Sequence, residues 1–520
     1  MATKKAMFLK EFGDVYGYFN SSYSVDNIRA TEFKRLEQKG ITYLDHAGAT
    51  LYSELQMENI FKDLTSTIHG NPHSQSDSSL STAEIIAEAR EMTMKFCNAS
   101  PEDYRCIFTS GATAALKLVG ESFPWSNSST FFYTTENHNS VLGIREYALN
   151  QGASSVAVDI HESDDGFSIS RRPPQFRDNH EEGECFDDEA FNLFAFPSEC
   201  NFSGLRFSMD LVNFAKGNLG NRCLVLVDGA KGSTTQNPNL SKFKVDFFVL
   251  SFYKLFGYPT GLGALVLRND AAKKLKNTYF GGGTVSASLA DVDFVRRRET
   301  IEEAFEYGSV SFLSIASILH GFKILNCLTL PAISRHVTTL TTFTKRALLN
   351  LRHHNGRPVV ALYSPPESKS CNGSIVTFNL KREDGSWVGH REVEKLANLS
   401  NIQLRTGCFC NPGACSKFLH LSHNEVISNL EAGHVCWDDN DIINGKPTGA
   451  VRISFGYMSI FEDAQKFIDF VSSSFLSSKN EPPLTRQPSL SSSGYRLNAI
   501  TVYPVKSCGG FNVDRWPLCE

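Results

Sequence analysis

The stretch Val245–Leu267, VDFFVLSFYKLFGYPTGLGALVL, decides the fold. A run of strand length, almost wholly apolar, ends just before Lys254, and a glycine-rich turn leads into a second apolar run. Strands of this kind are buried on both faces, as in a sheet covered by helices on each side. A lysine in such surroundings loses its proton readily and can form an imine with an aldehyde. The alternative is a snorkelling surface lysine.

Outward from this stretch, residues 41–330 alternate short apolar runs with longer amphipathic ones. ITYLDHAG, YRCIFTSG, TFFYTTE, SSVAVDI, FNLFAF, CLVLVDG and DFFVLS are predicted strands. The alternation predicts an α/β fold with a mainly parallel sheet. The polar, proline-bearing segment between Ile160 and Asn192 is predicted as a surface insertion. From about Ser334 to Phe475 the pattern changes to a helix, strands such as GSIVTFNL and GAVRISFGYM, and a final helix, EDAQKFIDFVSSSF. The expected organisation is an N-terminal segment over 1–40 joining a small α+β domain, a large domain over 41–333, the small domain over 334–475, a Ser/Pro linker over 476–494, and a strand-bearing fragment over 495–520. That fragment is too short to fold alone, and a further domain is expected beyond it.

With 51 Lys plus Arg against 56 Asp plus Glu, net charge −5, the chain is not a general polyanion binder. Its longest basic run, Arg296-Arg297-Arg298, is too short to make a groove, so no nucleic-acid partner is expected. No stretch approaches eighteen uninterrupted apolar residues, and no membrane partner is expected. The N-terminus carries charge where a signal peptide would be apolar, which predicts a cytosolic protein. Thirteen scattered cysteines fit that compartment, with most thiols reduced and buried.

Three features fall at predicted strand ends. Thr109-Ser110-Gly111-Ala112-Thr113 opens a helical stretch, where small residues let backbone N–H groups and a hydroxyl close on a phosphate; packing is the ordinary alternative. Asp228 ends CLVLVDG, where a carboxylate faces the ligand crevice of a parallel sheet or else serves as a cap. Lys254 is the third. A phosphate cradle, a carboxylate for a pyridinium nitrogen and a lysine for a Schiff base together describe a pyridoxal phosphate site.

Over roughly residues 40–475 the sequence resembles the cysteine desulfurase branch of the class V aminotransferase family. The resemblance implies the type I pyridoxal phosphate transferase fold, with Ala112 and Thr113 at the phosphate. His138 in TTENHNSV would stack on the cofactor ring, and Asn201 in ECNFSG would reach its phenolic oxygen. Ser251 and Tyr253 stand where the family uses a serine and commonly a histidine to hold the phosphate, and Lys231 stands where many desulfurases have a glutamine. Thr284, in GGGTVSAS, matches a loop that reaches the neighbouring subunit's phosphate, which implies a homodimer with shared sites. QLRTGCFCNPGACSKFL resembles the substrate loop, a mobile one, with Arg405 leading into Cys410 at the position of the persulfide-forming thiol; Cys408 is expected to pack or to do nothing. Arg452 matches the arginine that forks onto the substrate α-carboxylate.

The implied activity is that of a sulfurtransferase. L-cysteine binds with its carboxylate on Arg452, Lys254 moves the Cα proton, and Cys410 takes the sulfur as a persulfide while alanine leaves. The segment 422–459 and ITVYPVKSCGG at 500–510 resemble the eukaryotic branch that hands this sulfur to molybdenum cofactor, through a C-terminal molybdopterin-binding module, for molybdenum hydroxylases such as xanthine dehydrogenase and aldehyde oxidase. The rivals are a generic desulfurase serving iron–sulfur assembly or tRNA thiolation, and a non-catalytic scaffold, which would be expected to lose Lys254, Asp228 or Cys410. Cys408, Cys410, Cys415, His420, His423, His434 and Cys436 crowd one region, but their spacing is poor for structural zinc, and no metal is expected.

Overall fold

The structure, a computed structural model, describes residues 2–18, 24–163, 166–172, 190–220, 222–363, 373–435, 438–476, 500–502 and 511–513. The chain divides into two compact units, Met1–Ser477 and Ser478–Glu520.

In the first unit an eight-stranded sheet is built from β1 (Tyr104–Thr109), β2 (Thr130–Thr134), β3 (Ser154–Ser163), β4 (Gly166–Arg171), β5 (Asn192–Pro197), β6 (Cys223–Asp228), β7 (Phe247–Ser251) and β8 (Gly263–Arg268). Their order is β1-β8-β7-β6-β5-β2-β3-β4. The five strands from β7 to β3 run parallel, and β8 is antiparallel to both of its neighbours. Side chains alternate between two buried layers: Phe194, Phe196, Val225, Val227, Phe248 and Leu250 enter one core, and Leu193, Ala195, Leu226, Phe247 and Val249 the other. Burial on both faces is why these strands read as continuous apolar runs.

The polar segment after Ile160 starts as a hairpin rather than a loose insertion. β3 continues to Ser163 and pairs with β4, with Ser163 opposite Gly166. The remainder, 173–189, lies outside the described residues.

A second, four-stranded antiparallel sheet has the order β9 (Val360–Leu362), β10 (Ile375–Leu380), β12 (Ala450–Ser454), β11 (Arg405–Gly407). Helices α6 (Leu330–Leu349) and α9 (Phe461–Phe475) accompany it. In α9, Phe461, Ala464, Phe467, Ile468 and Val471 recur at helical spacing on the buried side, and Asp463 caps the start by accepting the Ile460 N–H at 2.9 Å. The N-terminal helices α1 (Ala2–Phe12) and α2 (Val25–Glu32) pack here: Phe8 meets Phe343 and Phe461 with ring centroids 5.0 and 4.8 Å apart, and Arg29 pairs with buried Asp463 at 3.0 Å. Helix α5 (Phe312–Leu328) precedes α6 and buries Ile315, Ile318, Phe322 and Leu325. Among the described residues no single helix is long and apolar enough to cross a membrane.

In the second unit β13 (Ile500–Val502) pairs antiparallel with β14 (Phe511–Val513). Of the expected Ser/Pro linker over 476–494, all but its first residue lies outside the described residues.

Candidate functional site

The sheet brings four strand ends to one edge. Asp228 faces Val249, Ser251 faces Gly263, and Gly263 faces Thr109, so the C-terminal ends of β1, β6 and β7 meet the start of β8. A cavity of about 250 Å³ opens there, lined by Ser110 to Thr113, His138, Asn201, Asp228, Lys231, Ser251, Tyr253 and Lys254 among others. Eight of the predicted cofactor residues, Ala112, Thr113, His138, Asn201, Asp228, Ser251, Tyr253 and Lys254, therefore share one wall.

The cradle for an anionic group is the start of α3 (Ala112–Ser122), where the N–H groups of Ala112 and Thr113 precede the first helical bonds, those of Ala114 and Ala115 to the Gly111 carbonyl at 3.1 and 3.2 Å. Gly263 is required beneath it, because a Cβ there would sit 2.6 Å from the Gly111 carbonyl carbon and 2.8 Å from the Ala112 nitrogen. Thr113 Oγ1 lies 2.9 Å from Ser140 Oγ.

Lys254 sits on the short helix α4 (Phe252–Phe256) directly after β7, and the Thr50 hydroxyl donates to its carbonyl at 2.8 Å. The helix ends at Gly257, with φ +86 and backbone of Leu51 and Tyr52 where a side chain would lie. Burial lowers the basicity of the Lys254 amine, and Asp228 acts in the opposite sense. Asp228 Oδ1 accepts the Ala230 N–H at 3.0 Å, which orients the carboxylate. His138 is the cap of the four-residue helix Asn139–Leu142 and accepts the Ser140 N–H on Nδ1 at 3.1 Å. Burial holds its basicity below the ordinary value, so the ring is neutral with its proton on Nε2.

Lys231, departing from the family's glutamine, is buried against an equally buried Glu199 at 3.0 Å and also donates to Thr234 and Ser374. Glu199 escaped sequence reasoning. A lysine three residues after Asp228, at the end of an apolar strand, was the signal that a carboxylate had to lie nearby.

Arg452, on β12, is buried. Its Nη2 donates to Asp45 at 2.8 Å, Nη1 donates to the Asn201 carbonyl at 2.9 Å, and the guanidinium lies 4.5 Å from the Phe409 ring centroid. Its Nε–H is buried and unspent among the described residues. Arg405 stands opposite Arg452 across β11 and β12. Arg405 and Arg452 are thus cross-strand neighbours, and Asp45 pairs with Arg452.

Cys410 is exposed, whereas the loop around it is docked rather than free. The Cys410 carbonyl accepts the Asn139 N–H at 2.7 Å, and the Phe409 carbonyl accepts from Asn201 Nδ2 at 2.7 Å. Asn201, expected to reach the cofactor's phenolic oxygen, holds this loop. Cys408 is not idle: it forms a disulfide with Cys415, Cα atoms 5.3 Å apart, which corrects the expectation that it merely packs. The seven-residue separation across the turn into helix α7 (Pro412–Leu419) brings the two together. Cys97, Cys106, Cys200 and Cys223 are free and buried as expected.

Thr284 is not brought to the cavity. It is buried in its own turn, its hydroxyl bonded to the backbone of Gly281. Among the described residues no group of His, Cys, Asp or Glu is arranged to hold a metal, and Cys436 lies outside them.

Residues 42–467 match the family described as Aminotransferase class-V. Curated relatives named molybdenum cofactor sulfurase are 59% identical over 99% of the chain in Arabidopsis thaliana and 58% identical over 99% in Solanum lycopersicum. The chain spans about two thirds of their length, 67% and 66%. Among solved structures, the cysteine desulfurase CsdA (S-sulfonic acid) from Escherichia coli superposes with a TM-score of 0.65 at 18% identity, covering 87% of this chain and 98% of that one. At that identity the likeness establishes the type I pyridoxal phosphate fold and no more.

Proposed function

We infer, from a chain that belongs to the aminotransferase class-V family and within it to the molybdenum cofactor sulfurases, that it takes sulfur from L-cysteine onto Cys410 and passes it to molybdenum cofactor. The chain is a sulfurtransferase that uses pyridoxal 5'-phosphate. The observation carrying the reading is one cavity that joins a glycine-floored helix start, a buried carboxylate and a half-buried lysine of lowered basicity. These residues fit the cofactor: the α3 start for its phosphate, Asp228 for its ring nitrogen and Lys254 for its aldehyde carbon. When bound, the cofactor supplies a carbon that condenses with amines and a ring that accepts electrons from the substrate Cα.

The chain's own residues do the rest. Arg452, with an unspent Nε–H, receives the substrate carboxylate. Lys254, its basicity lowered by burial, takes the Cα proton. Neutral His138 closes the cavity beside it without adding charge. The Cys410 thiolate attacks the substrate sulfur; an S–S bond forms, the S–Cβ bond breaks with its pair passing to carbon, and protonation of that carbon yields the methyl group of alanine. The sulfane sulfur held on Cys410 is the group the chain then offers to molybdenum cofactor.

A homodimer is part of the same proposal. Tyr279, Phe280, Leu289, Val292 and Phe294 are exposed around the loop carrying Thr284, an apolar face suited to a second copy. The generic desulfurase and scaffold readings are not favoured, since the relatives that match 99% of this chain are sulfurases and Lys254, Asp228 and Cys410 are all present.

Alanine and sulfane sulfur formed one to one from L-cysteine test the reading. Lys254→Ala should abolish both, along with the borohydride-trapped cofactor adduct. The trapped adduct appearing on Lys231 would overturn the assignment.

A further inference from the structure

Phe409 and Asn411 are hydrogen-bonded to Asn201 in the wall of the cavity, and Cys410 between them is bonded to Asn139, which stands between the lining residues His138 and Ser140. Phe409 and Cys410 adopt φ of +56, two adjacent non-glycine residues in the left-handed region. Such a turn persists only where its surroundings over-determine it. The Cys410 thiol is exposed and makes none of these bonds, so the holding is done by its backbone and by its neighbours.

Asn411 does most of it. Its side chain is buried and fully spent: one amide hydrogen goes to the Glu136 carbonyl at 2.7 Å, the other to Asn201 Oδ1 at 2.8 Å, and its own Oδ1 accepts the Ala414 N–H at 3.1 Å as the cap of α7. Asn201 returns the contact by donating to the Phe409 carbonyl. The second Nδ2 hydrogen of Asn201 remains for the cavity it lines. The pair of amides thus links the cavity wall to the residues on both sides of the thiol.

We propose that Asn411 is the positioning residue that holds Cys410 in a docked turn against the substrate sulfur, through the Asn201 amide and the Glu136 carbonyl. The thiol is then presented from a fixed turn rather than from a freely swinging loop. The inference rests on reading Cys410 as the thiol that takes up sulfur.

Asn411→Asp and Asn411→Ser separate anchoring from capping, because each keeps an oxygen for the Ala414 N–H and loses the two amide donors. Expected for each is an unchanged cofactor absorbance, a KM for L-cysteine within twofold of the parent, and single-turnover persulfide formation at least tenfold slower. In cofactor-free protein, hydrogen exchange in peptides covering 136–142 and 405–415 should quicken at least tenfold, since the Asn139 N–H loses its hold on the Cys410 carbonyl. If the aspartate variant does not fold, the serine variant carries the test. Parent-like exchange and persulfide rates in the serine variant would overturn the proposal and leave Asn411 a simple helix cap. A parent protein that places no sulfur on Cys410 would overturn the functional reading instead, while the exchange data would still judge the anchor.

Discussion

Asp45→Asn probes the charge balance around Arg452. Arg452 keeps 2% of its side-chain surface and Asp45 keeps 19%, and they pair at 2.8 Å. Burial makes the guanidinium harder to keep charged, and Asp45 is the largest influence opposing that. Removing one partner of a buried pair costs about 3–5 kcal/mol, whereas a charged hydrogen bond is worth about 1.5–3 kcal/mol. Asparagine still accepts a hydrogen bond, the Asn201 carbonyl stays on Nη1, and Asp45 is partly wet, so the loss should be about 2–3 kcal/mol. The same substitution leaves Arg452 without a resident carboxylate, so an incoming one no longer competes. The variant should melt below the parent and regain more stability than the parent does when the product L-alanine is added. Its KM for L-cysteine should fall severalfold. Differential scanning calorimetry with and without L-alanine, together with initial rates, measures both effects. An unchanged midpoint combined with an unchanged or higher KM would refute the picture of Asp45 as a stand-in for substrate carboxylate.

Acid should destabilise the first unit through buried imidazoles. His336 accepts the Gly17 N–H and bonds the Ser459 carbonyl, and burial lowers its pKa to about 4 from 6.5. The unfolded chain therefore takes up the proton first, so stability is fully present above pH 6.5 and is lost as pH falls toward 4, by roughly 3 kcal/mol. Unfolding free energies across that window should decline, and less steeply in His336→Gln. His46, at about 3, and His390, at about 4, act in the same direction and leave a residual slope. Light scattering should give a dimer, and Phe294→Glu should shift it toward monomer with reduced cofactor occupancy; a fully loaded monomeric parent would remove the shared-site proposal.

The sheet was legible because its strands are buried on both faces: CLVLVDG and DFFVLS need no partner to be read as interior. Asp228 and Lys254 follow from those strands, since each marks where an apolar run stops at the same sheet edge. Residues whose meaning depends on a distant partner were hidden. Glu199 matters only because Lys231 lies against it, and Asp45 only because Arg452, 407 positions away, points to it. Nothing local in the sequence marks Asn411, as its partners Glu136 and Asn201 lie 275 and 210 positions away. The Cys408–Cys415 pairing depends on how the turn folds back, which spacing alone does not specify.

The central claim is that Cys410 receives the sulfur. Brief exposure of the cofactor-loaded protein to L-cysteine, alkylation and peptide mass mapping test it most directly. The account predicts one added sulfur on Cys410, alanine in equal amount, and, in Cys410→Ala, a normal cofactor spectrum with neither product. Sulfur on another cysteine with Cys410 unmodified, or undiminished alanine release from Cys410→Ala, would contradict it.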